Sequence, residues 1–356
     1  MIKKLDWPLV AGVYALLIFG ILNIYGIGGF ESIFFKKQLI FALIGTFLIL
    51  LSVFFDYRIF KNYSAPSLII YIFVILLLIT TLFAAPEIRG VSSWLFIGRL
   101  GIEPSEVLKL SVLILLAKYF SSRHTQIDDW RHIFASFIYI GVPALLIFIQ
   151  PDFGSAAIVI LIWLGSLVIA GIRPKYLTAI ILIFALLFLL GWNVILKPYQ
   201  KARLITFLNP GQDPQGAGYN IIQSRIAVGS GRLFGKGLGN PTQAKLGLLP
   251  EPYTDFAFAS LAEQFGFTGI LGILFLYLLI LSRLIKISLA ARDNFSKIYL
   301  FLFAVFIFAH TLINVGMNMG LMPITGLPLP FISYGGSHLI TLMLGVGISQ
   351  SIKIRS

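Results

Sequence analysis

Long apolar runs separated by short polar breaks make up most of this chain. A membrane-spanning helix needs about 20 predominantly apolar residues. Ten runs approach that length, at about 8–26, 38–54, 66–85, 105–120, 133–149, 153–171, 175–195, 256–282, 298–317 and 332–351. The pattern predicts an all-α polytopic membrane protein with ten transmembrane helices, forming a single transmembrane domain over residues 1–356.

The longest polar break, residues 196–255, lies between the seventh and eighth runs. Loops longer than about 12–15 residues are usually functional or disordered. This loop carries aromatic and aliphatic residues throughout, and it ends at Asp255, where the apolar pattern resumes. We therefore expect an ordered, functional loop that the helices hold in place.

Composition and charge support a membrane protein. The chain is 58% hydrophobic and only 12% charged, about half the charged fraction of a soluble domain. It has no cysteine, which excludes disulfides, thiol catalysis and cysteine-ligated metals.

The net charge of +13 follows the predicted topology. Fifteen Lys and Arg residues fall in segments on one side of the membrane and four in the short loops opposite. The positive-inside rule then puts both termini in the cytoplasm and the long loop outside. We attribute the charge to topology and contact with anionic membrane lipids, and we expect no nucleic-acid partner.

Three shorter breaks fall on the same predicted side as the long loop, at 86–104, 150–155 and 321–337. The last combines prolines with glycines, a composition that breaks helices. Irregular backbone at membrane depth persists only where it is buried in protein or lines a cavity. The four segments are therefore predicted to converge on one cavity at the outer face.

Four ionisable residues near these breaks are candidates for chemistry. Glu106 and Lys109 are spaced i,i+3 in the fourth run. A lone charge at the bilayer centre costs about 2.5–3.5 kcal/mol or more, so the pair is either functional or a structural ion pair. Asp152 and Asp255 each precede an apolar run, where an aspartate is either a helix N-cap or a functional carboxylate.

Other features indicate ordinary packing. His310 and His338 are typical of hydrogen-bonded core residues more than of metal ligands, and Glu263 is typical of a partly buried helix residue. The segment GSGRLFGKGLGN is rich in glycine but lacks the G-x-x-x-x-G-K-[ST] pattern, so an ATPase is rejected.

Five segments together resemble the SEDS family (shape, elongation, division and sporulation) of peptidoglycan polymerases. They are GVSSWLFIGRLGIEPSEVLKL (90–110), QPDFGSA (150–156), NPGQDPQGAGYNIIQSRIAVGSGRLFGKGLGN (209–240), LPEPYTDFAFASLAEQFGFTG (249–269) and NVGMNMGLMPITGLPLPFISYGGSHL (314–339). The short termini and the 216–237 segment are closer to the elongation members than to the division members. Two positions depart from the family: Tyr253 stands where a histidine is usual, and His338 where a small residue is usual.

The resemblance implies a glycosyltransferase of the bacterial inner membrane that polymerises lipid II, with inversion, during cell-wall elongation. The family's essential aspartate falls on Asp255, which is implied to be the general base. Positive charge for the diphosphate leaving group would come from Arg89, Lys109 or Arg203, with Glu106 and Asp152 completing the substrate site.

The resemblance also implies a protein partner, whereas a cofactor stays open. The sequence leaves open whether a divalent cation, Mg²⁺ or Mn²⁺, takes part; Asp255 and Asp152 would hold it. The implied partner is a class B penicillin-binding protein, the transpeptidase of the elongation machinery.

Two alternatives from other classes stay open. A flippase or transporter for lipid-linked oligosaccharides would also need many helices and a polar cavity, but it should show repeat symmetry and charges near the membrane midplane. A scaffold that only recruits the transpeptidase would leave the long loop and the Glu106–Lys109 pair without a function. A division-type polymerase is the alternative within the family.

Overall fold

The computed structural model describes residues 4–86, 93–98, 100–122, 130–194, 201, 205–216 and 218–355. These ranges are mainly helical, with one two-stranded antiparallel hairpin in which Phe96 lies opposite Gly101. The elements are α1 (Trp7–Gly28), α2 (Ile33–Phe54), α3 (Arg58–Asn62), α4 (Ser64–Ala84), β1 (Leu95–Ile97), β2 (Leu100–Ile102), α5 (Pro104–Ser121), α6 (Trp130–Ile149), α7 (Phe153–Ala170), α8 (Pro174–Val194), a 3₁₀ turn (Pro210–Gln212), α9 (Tyr219–Ser230), α10 (Thr242–Lys245), α11 (Ala257–Ala290), α12 (Asn294–Asn318) and α13 (Gly336–Arg355).

The predicted all-α polytopic membrane fold is confirmed. Among the described residues, eight helices are long and apolar enough to cross a membrane: α1, α2, α4, α6, α7, α8, α11 and α12. The predicted runs at 105–120 and 332–351 correspond to α5 and α13, which are 18 and 20 residues long. Both carry more polar side chains and are largely buried, so the total of ten crossings stays a prediction.

Helix α12 forms the centre of the bundle, packed against α5, α7 and α11. Its aromatic side chains form a ladder from Phe295 through Tyr299 and Phe303 to Phe306, with successive ring centroids 6.2–6.3 Å apart. The ladder ends at His310, whose ring is 4.8 Å from that of Phe306. This packing fixes the part of α12 that carries His310.

Three helices begin with an aspartate N-cap. Asp6, Asp152 and Asp293 precede α1, α7 and α12, and each carboxylate accepts a hydrogen bond from the amide three residues on, at 3.0–3.1 Å. Such caps satisfy amides that the first helical turn leaves free. The N-cap interpretation of Asp152 is therefore confirmed.

The eighth predicted run differs from expectation, because α11 is two helices joined by a break. Gly266 has φ 65° and ψ −168°, a conformation open mainly to glycine. The glycine-rich strap, residues 231–237, fills the break. Four backbone hydrogen bonds of 2.9–3.0 Å join the strap to both sides of it: Lys236 N to Glu263 O, Gly237 N to Gln264 O, Phe267 N to Arg232 O and Thr268 N to Leu233 O.

Glu263 anchors the rest of the long loop to the same place. Its side chain is fully buried, and the carboxylate accepts hydrogen bonds from Lys236 Nζ at 2.5 Å, Thr242 Oγ1 at 2.7 Å and the Gln243 amide at 3.1 Å. The described part of the loop is thus ordered by α11 itself. Glycine is needed here because a Cβ on Gly266 would lie 2.2 Å from the amide nitrogen of Gly235.

We expect Gly266→Ala to lower the free energy of unfolding by about 2 kcal/mol or more, since it combines a left-handed backbone with a steric clash. The matched control is Gly272→Ala on the same helix, where a Cβ meets open space. That change should be neutral or slightly stabilising. Denaturant unfolding in detergent measures both, and equal stability of the two variants would contradict the role of the break.

Candidate active site

A cavity of about 760 Å³ opens at one end of the helix bundle. All four polar segments contribute to its lining, so their predicted convergence is confirmed. The lining includes Ser93, Trp94, Phe96 and Glu103 from the first segment, Pro151–Phe153 from the second, Asn220, Pro250, Glu251, Thr254 and Asp255 from the long loop, and Ile324–Pro328 with Tyr334–Ser337 from the last.

Asp255 lies on the cavity wall, half-buried, directly before α11. The N-cap position of that helix is Phe256, and it makes no side-chain capping bond. Asp255 therefore does not hold the position that the helix-cap alternative requires. Its backbone carbonyl accepts hydrogen bonds from Asn314 Nδ2 and Asn318 Nδ2, each at 3.0 Å, which fix it against α12.

The proline-rich segment 321–337 is held against the residues just before Asp255. Ser333 Oγ donates to the Thr254 carbonyl at 2.6 Å, and the Tyr334 amide donates to the Tyr253 carbonyl at 2.8 Å. Tyr253, where the family usually has histidine, stacks on Phe34 of α2 with ring centroids 4.4 Å apart. These contacts give the Asp255 carboxylate a rigid surrounding.

Asp152 lines the cavity and also caps α7, so it is both a helix N-cap and a candidate site residue. Its Oδ1 accepts from the Ser155 amide, also on the cavity wall. Capping therefore does not remove Asp152 from the candidate site.

The predicted Glu106–Lys109 pair is present and buried. Lys109 Nζ lies 2.7 Å from Glu106 Oε1, and both side chains are at most 2% exposed. The second carboxylate oxygen, Oε2, lies 2.8 Å from His338 Nδ1, a contact that the sequence did not indicate. The pair stabilises the packing of α5, and Glu106 with His338 also lines the cavity.

The charged residues in the described cavity lining are mainly acidic. Five carboxylic residues line it (Glu103, Glu106, Asp152, Glu251 and Asp255), against one lysine, Lys37. Loss of hydration, together with repulsion from Glu106 and Asp152, raises the pKa of Glu103 to about 8. The cavity thus has a surplus of negative charge that favours binding of a proton or a cation.

Two predicted residues, Arg89 and Arg203, lie outside the described residues. The sequence reasoning missed Glu103, Lys37, Asn314 and Asn318. The i,i+3 spacing of Glu103 and Glu106 and the i,i+4 spacing of the two asparagines could have indicated them. Nothing in the local pattern indicates that Lys37, at the start of α2, reaches the cavity.

Burial should decide how much each ion pair stabilises the fold. Lys109→Met leaves Glu106 without its cation in a buried position, so we expect a loss of about 3–5 kcal/mol in the free energy of unfolding. The matched control is Lys36→Met, because Lys36 and Glu31 are also 2.7 Å apart but exposed. It should change stability too little to measure. Thermal and denaturant unfolding in detergent compare the variants, and similar losses in both would contradict this account.

Nearly the whole length of the chain matches known proteins. Residues 7–356 match the FtsW, RodA and SpoVE family model, described as a cell cycle protein. Peptidoglycan glycosyltransferase MrdB of Escherichia coli K12 is 35% identical, covering 98% of this chain and 93% of that protein. Stage V sporulation protein E of Bacillus subtilis is 36% identical, with coverages of 98% and 96%.

Solved structures of proteins from cell-wall synthesis match the fold of this chain. One, from work on structural coordination of polymerization and crosslinking by a peptidoglycan synthase complex, has a TM-score of 0.81 at 30% identity, covering 98% of this chain and 97% of the other. The rod shape determining protein RodA of Thermus thermophilus has a TM-score of 0.73 at 27% identity, with coverages of 98% and 96%. The chain therefore belongs to the SEDS family, the family of FtsW, RodA and SpoVE.

Proposed function

We propose that the cavity polymerises lipid II into glycan strands during cell-wall elongation, with Asp255 as the general base. The chain is a multi-pass membrane protein and a peptidoglycan glycosyltransferase, in line with relatives of that name that match nearly its whole length. One observation carries the assignment of Asp255: its carboxylate lines the cavity and does not occupy the N-cap position of α11.

The proposed reaction joins two lipid-linked disaccharides. The 4-hydroxyl of an N-acetylglucosamine on one lipid attacks the anomeric carbon of N-acetylmuramic acid on the other. A carbon–oxygen bond forms on one face of the sugar while the bond to the diphosphate breaks on the opposite face. Undecaprenyl diphosphate leaves, the configuration inverts, and the hydroxyl proton passes to the Asp255 carboxylate.

General-base catalysis fits this position. A sugar hydroxyl is a weak nucleophile, and a positioned base contributes about 10²–10⁴-fold to the rate. The asparagines of α12 hold the backbone of Asp255, and the proline-rich segment approaches its carboxylate, since a Cβ on Gly326 would lie 3.5 Å from Oδ2. Such support keeps a reacting group close to its productive geometry.

The leaving diphosphate needs positive charge, which the described lining supplies poorly. Lys109 is already paired with Glu106, and the carboxylic residues outnumber Lys37. We propose that a divalent cation, Mg²⁺ or Mn²⁺, binds with the substrate. Asp255 and Asp152 would hold it, since Mg²⁺ is commonly bound by one or two carboxylates together with substrate phosphates. Such an ion neutralises charge on the leaving group.

Location and partner complete the proposal. We infer an inner-membrane protein with both termini in the cytoplasm and the cavity at the outer face, from the distribution of Lys and Arg. We infer a class B penicillin-binding protein as partner because a structural neighbour comes from work on a peptidoglycan synthase complex that coordinates polymerization and crosslinking.

We expect Asp255→Asn to lower lipid II polymerisation by about 10²–10⁴-fold, because the amide cannot accept the hydroxyl proton. The protein would be purified with its transpeptidase and supplied with labelled lipid II. Asp213→Asn, which changes an exposed aspartate of the same loop, should retain full activity. Equal activity of Asp255→Asn and wild type would exclude the general base, and strand-free transfer of lipid II across vesicles would favour a flippase.

Chelation tests the cation separately. We expect EDTA to abolish strand formation and added Mg²⁺ or Mn²⁺ to restore it, because the diphosphate would otherwise leave beside uncompensated carboxylates. Asp152→Asn should raise the concentration of cation required for half-maximal rate. Full activity in EDTA would exclude the cation while leaving the role of Asp255 untouched.

A further inference from the structure

A second group of potential metal ligands lies beside the cavity, apart from the proposed general base. It consists of Glu106 on α5, His310 on α12 and His338 on α13. One ligand atom from each residue, a carboxylate oxygen or a ring nitrogen, lies within 4.8 Å of those of the other two. All three residues are buried, at 1%, 0% and 3% exposure.

Each histidine is oriented through one ring nitrogen. His310 Nδ1 lies 3.3 Å from the Pro328 carbonyl, so Nδ1 carries the hydrogen and Nε2 keeps its lone pair. His338 Nδ1 contacts Glu106 Oε2 at 2.8 Å. The two rings lie 4.9 Å apart at an angle of 35°.

Both Nε2 atoms are buried and lack a hydrogen-bond partner among the described residues. A buried polar atom without a partner costs about 1–3 kcal/mol, and such an atom in a folded protein usually marks a bound water or ion or a functional role. Two of them on neighbouring rings, tilted by 35° to each other, point to a shared ligand.

We propose that Glu106, His310 and His338 bind a Zn²⁺ ion. Imidazole nitrogen and carboxylate oxygen are ligands that Zn²⁺ takes, and two histidines with one glutamate form a known set for zinc with an open coordination position. The backbone carbonyl behind His310 is the usual second partner of a metal-binding histidine. This assigns the histidines a role beyond the core packing expected from the sequence.

The charges around the cluster allow a cation despite Lys109. The ammonium group of Lys109 contacts Oε1 of Glu106 and His338 Nδ1 contacts Oε2, so the ion would bind Oε2 in place of that second contact. Glu103 and Asp152 add two carboxylic groups on the same cavity, and repulsion from Glu106 and Asp152 adds to lost hydration, the larger cause, in raising the pKa of Glu103. A metal ion would relieve that repulsion.

The site has two physical consequences. Its ligands come from three helices, so Zn²⁺ would cross-link α5, α12 and α13 and raise thermal stability. Glu106 and His338 line the cavity, so an open coordination position would be accessible from it. This proposal does not depend on the proposed reaction, because nitrogen ligands select Zn²⁺ whereas the carboxylates of Asp255 and Asp152 suit Mg²⁺ or Mn²⁺.

The test is metal binding by the purified full-length protein, prepared with a histidine-free affinity tag and stripped with chelator. Zn²⁺ would be added, excess removed, and metal measured by mass spectrometry, together with the visible ligand-field spectrum after Co²⁺ substitution. The variants are His310→Gln and His338→Gln. The control is His132→Gln, because His132 lies near Tyr119 and outside the cluster.

We expect about one Zn²⁺ per chain in wild type and in His132→Gln. Affinity should be lower by at least about tenfold in either cluster variant. The melting temperature should rise with Zn²⁺ in wild type and not in those variants. Excess Mg²⁺ should not displace the ion.

Two results would overturn the site. Wild type with no zinc and no cobalt spectrum would leave the cluster as a hydrogen-bonded group. Equal zinc in wild type and in both histidine variants would mean adventitious surface binding only. Should the variants fail to fold, the wild-type cobalt spectrum decides, because nitrogen and oxygen ligands in a tetrahedral site give bands that hydrated Co²⁺ lacks. Inactivity in the polymerisation assay would not bear on any of these results.

Discussion

Backbone polar groups that leave a helix inside a membrane protein need protein partners, because hydrocarbon provides none. This constraint governs the structure around the cavity. The break at Gly266 frees carbonyl and amide groups, and the strap 231–237 returns to bind them on both sides. The proline-rich segment likewise bonds through Ser333 and Tyr334 to the residues before Asp255. The irregular segments therefore support one another, and the site forms where they meet.

The same requirement explains the polar side chains buried near the site. The Glu263 carboxylate holds the end of the strap and the residues after it by accepting hydrogen bonds from Lys236, Thr242 and Gln243. Asn314 and Asn318 both donate to the Asp255 carbonyl, and Asn318 also accepts from the Ala259 amide. These residues do not need to touch substrate to matter for activity. They hold the carboxylate of the proposed general base where a flexible loop could not.

Electrostatics distinguishes two parts of the cavity. Asp255 and Asp152 offer oxygen ligands suited to an ion that accompanies a diphosphate. Glu106, His310 and His338 offer a mixed nitrogen and oxygen set that selects a different metal. Lys109 is paired with Glu106, so the charges of the described lining favour cations over anions. A cation bound with the anionic substrate would then neutralise its charge, where another protein would use basic side chains.

The sequence by itself determined the membrane-helix architecture, the convergence of four polar segments and the Glu106–Lys109 pair. Hydropathy and i,i+3 spacing are local properties that a linear chain displays directly. Only the tertiary structure decided that α11 is broken, that Phe256 and not Asp255 holds the N-cap position, and that Glu103, Lys37 and His338 share one cavity. Those facts depend on contacts between residues far apart in the chain. Lys236 and Glu263 are 27 residues apart, and Glu106 and His338 are 232 residues apart. Local pattern carries no information about such pairings, because the bundle's packing alone brings the helices together.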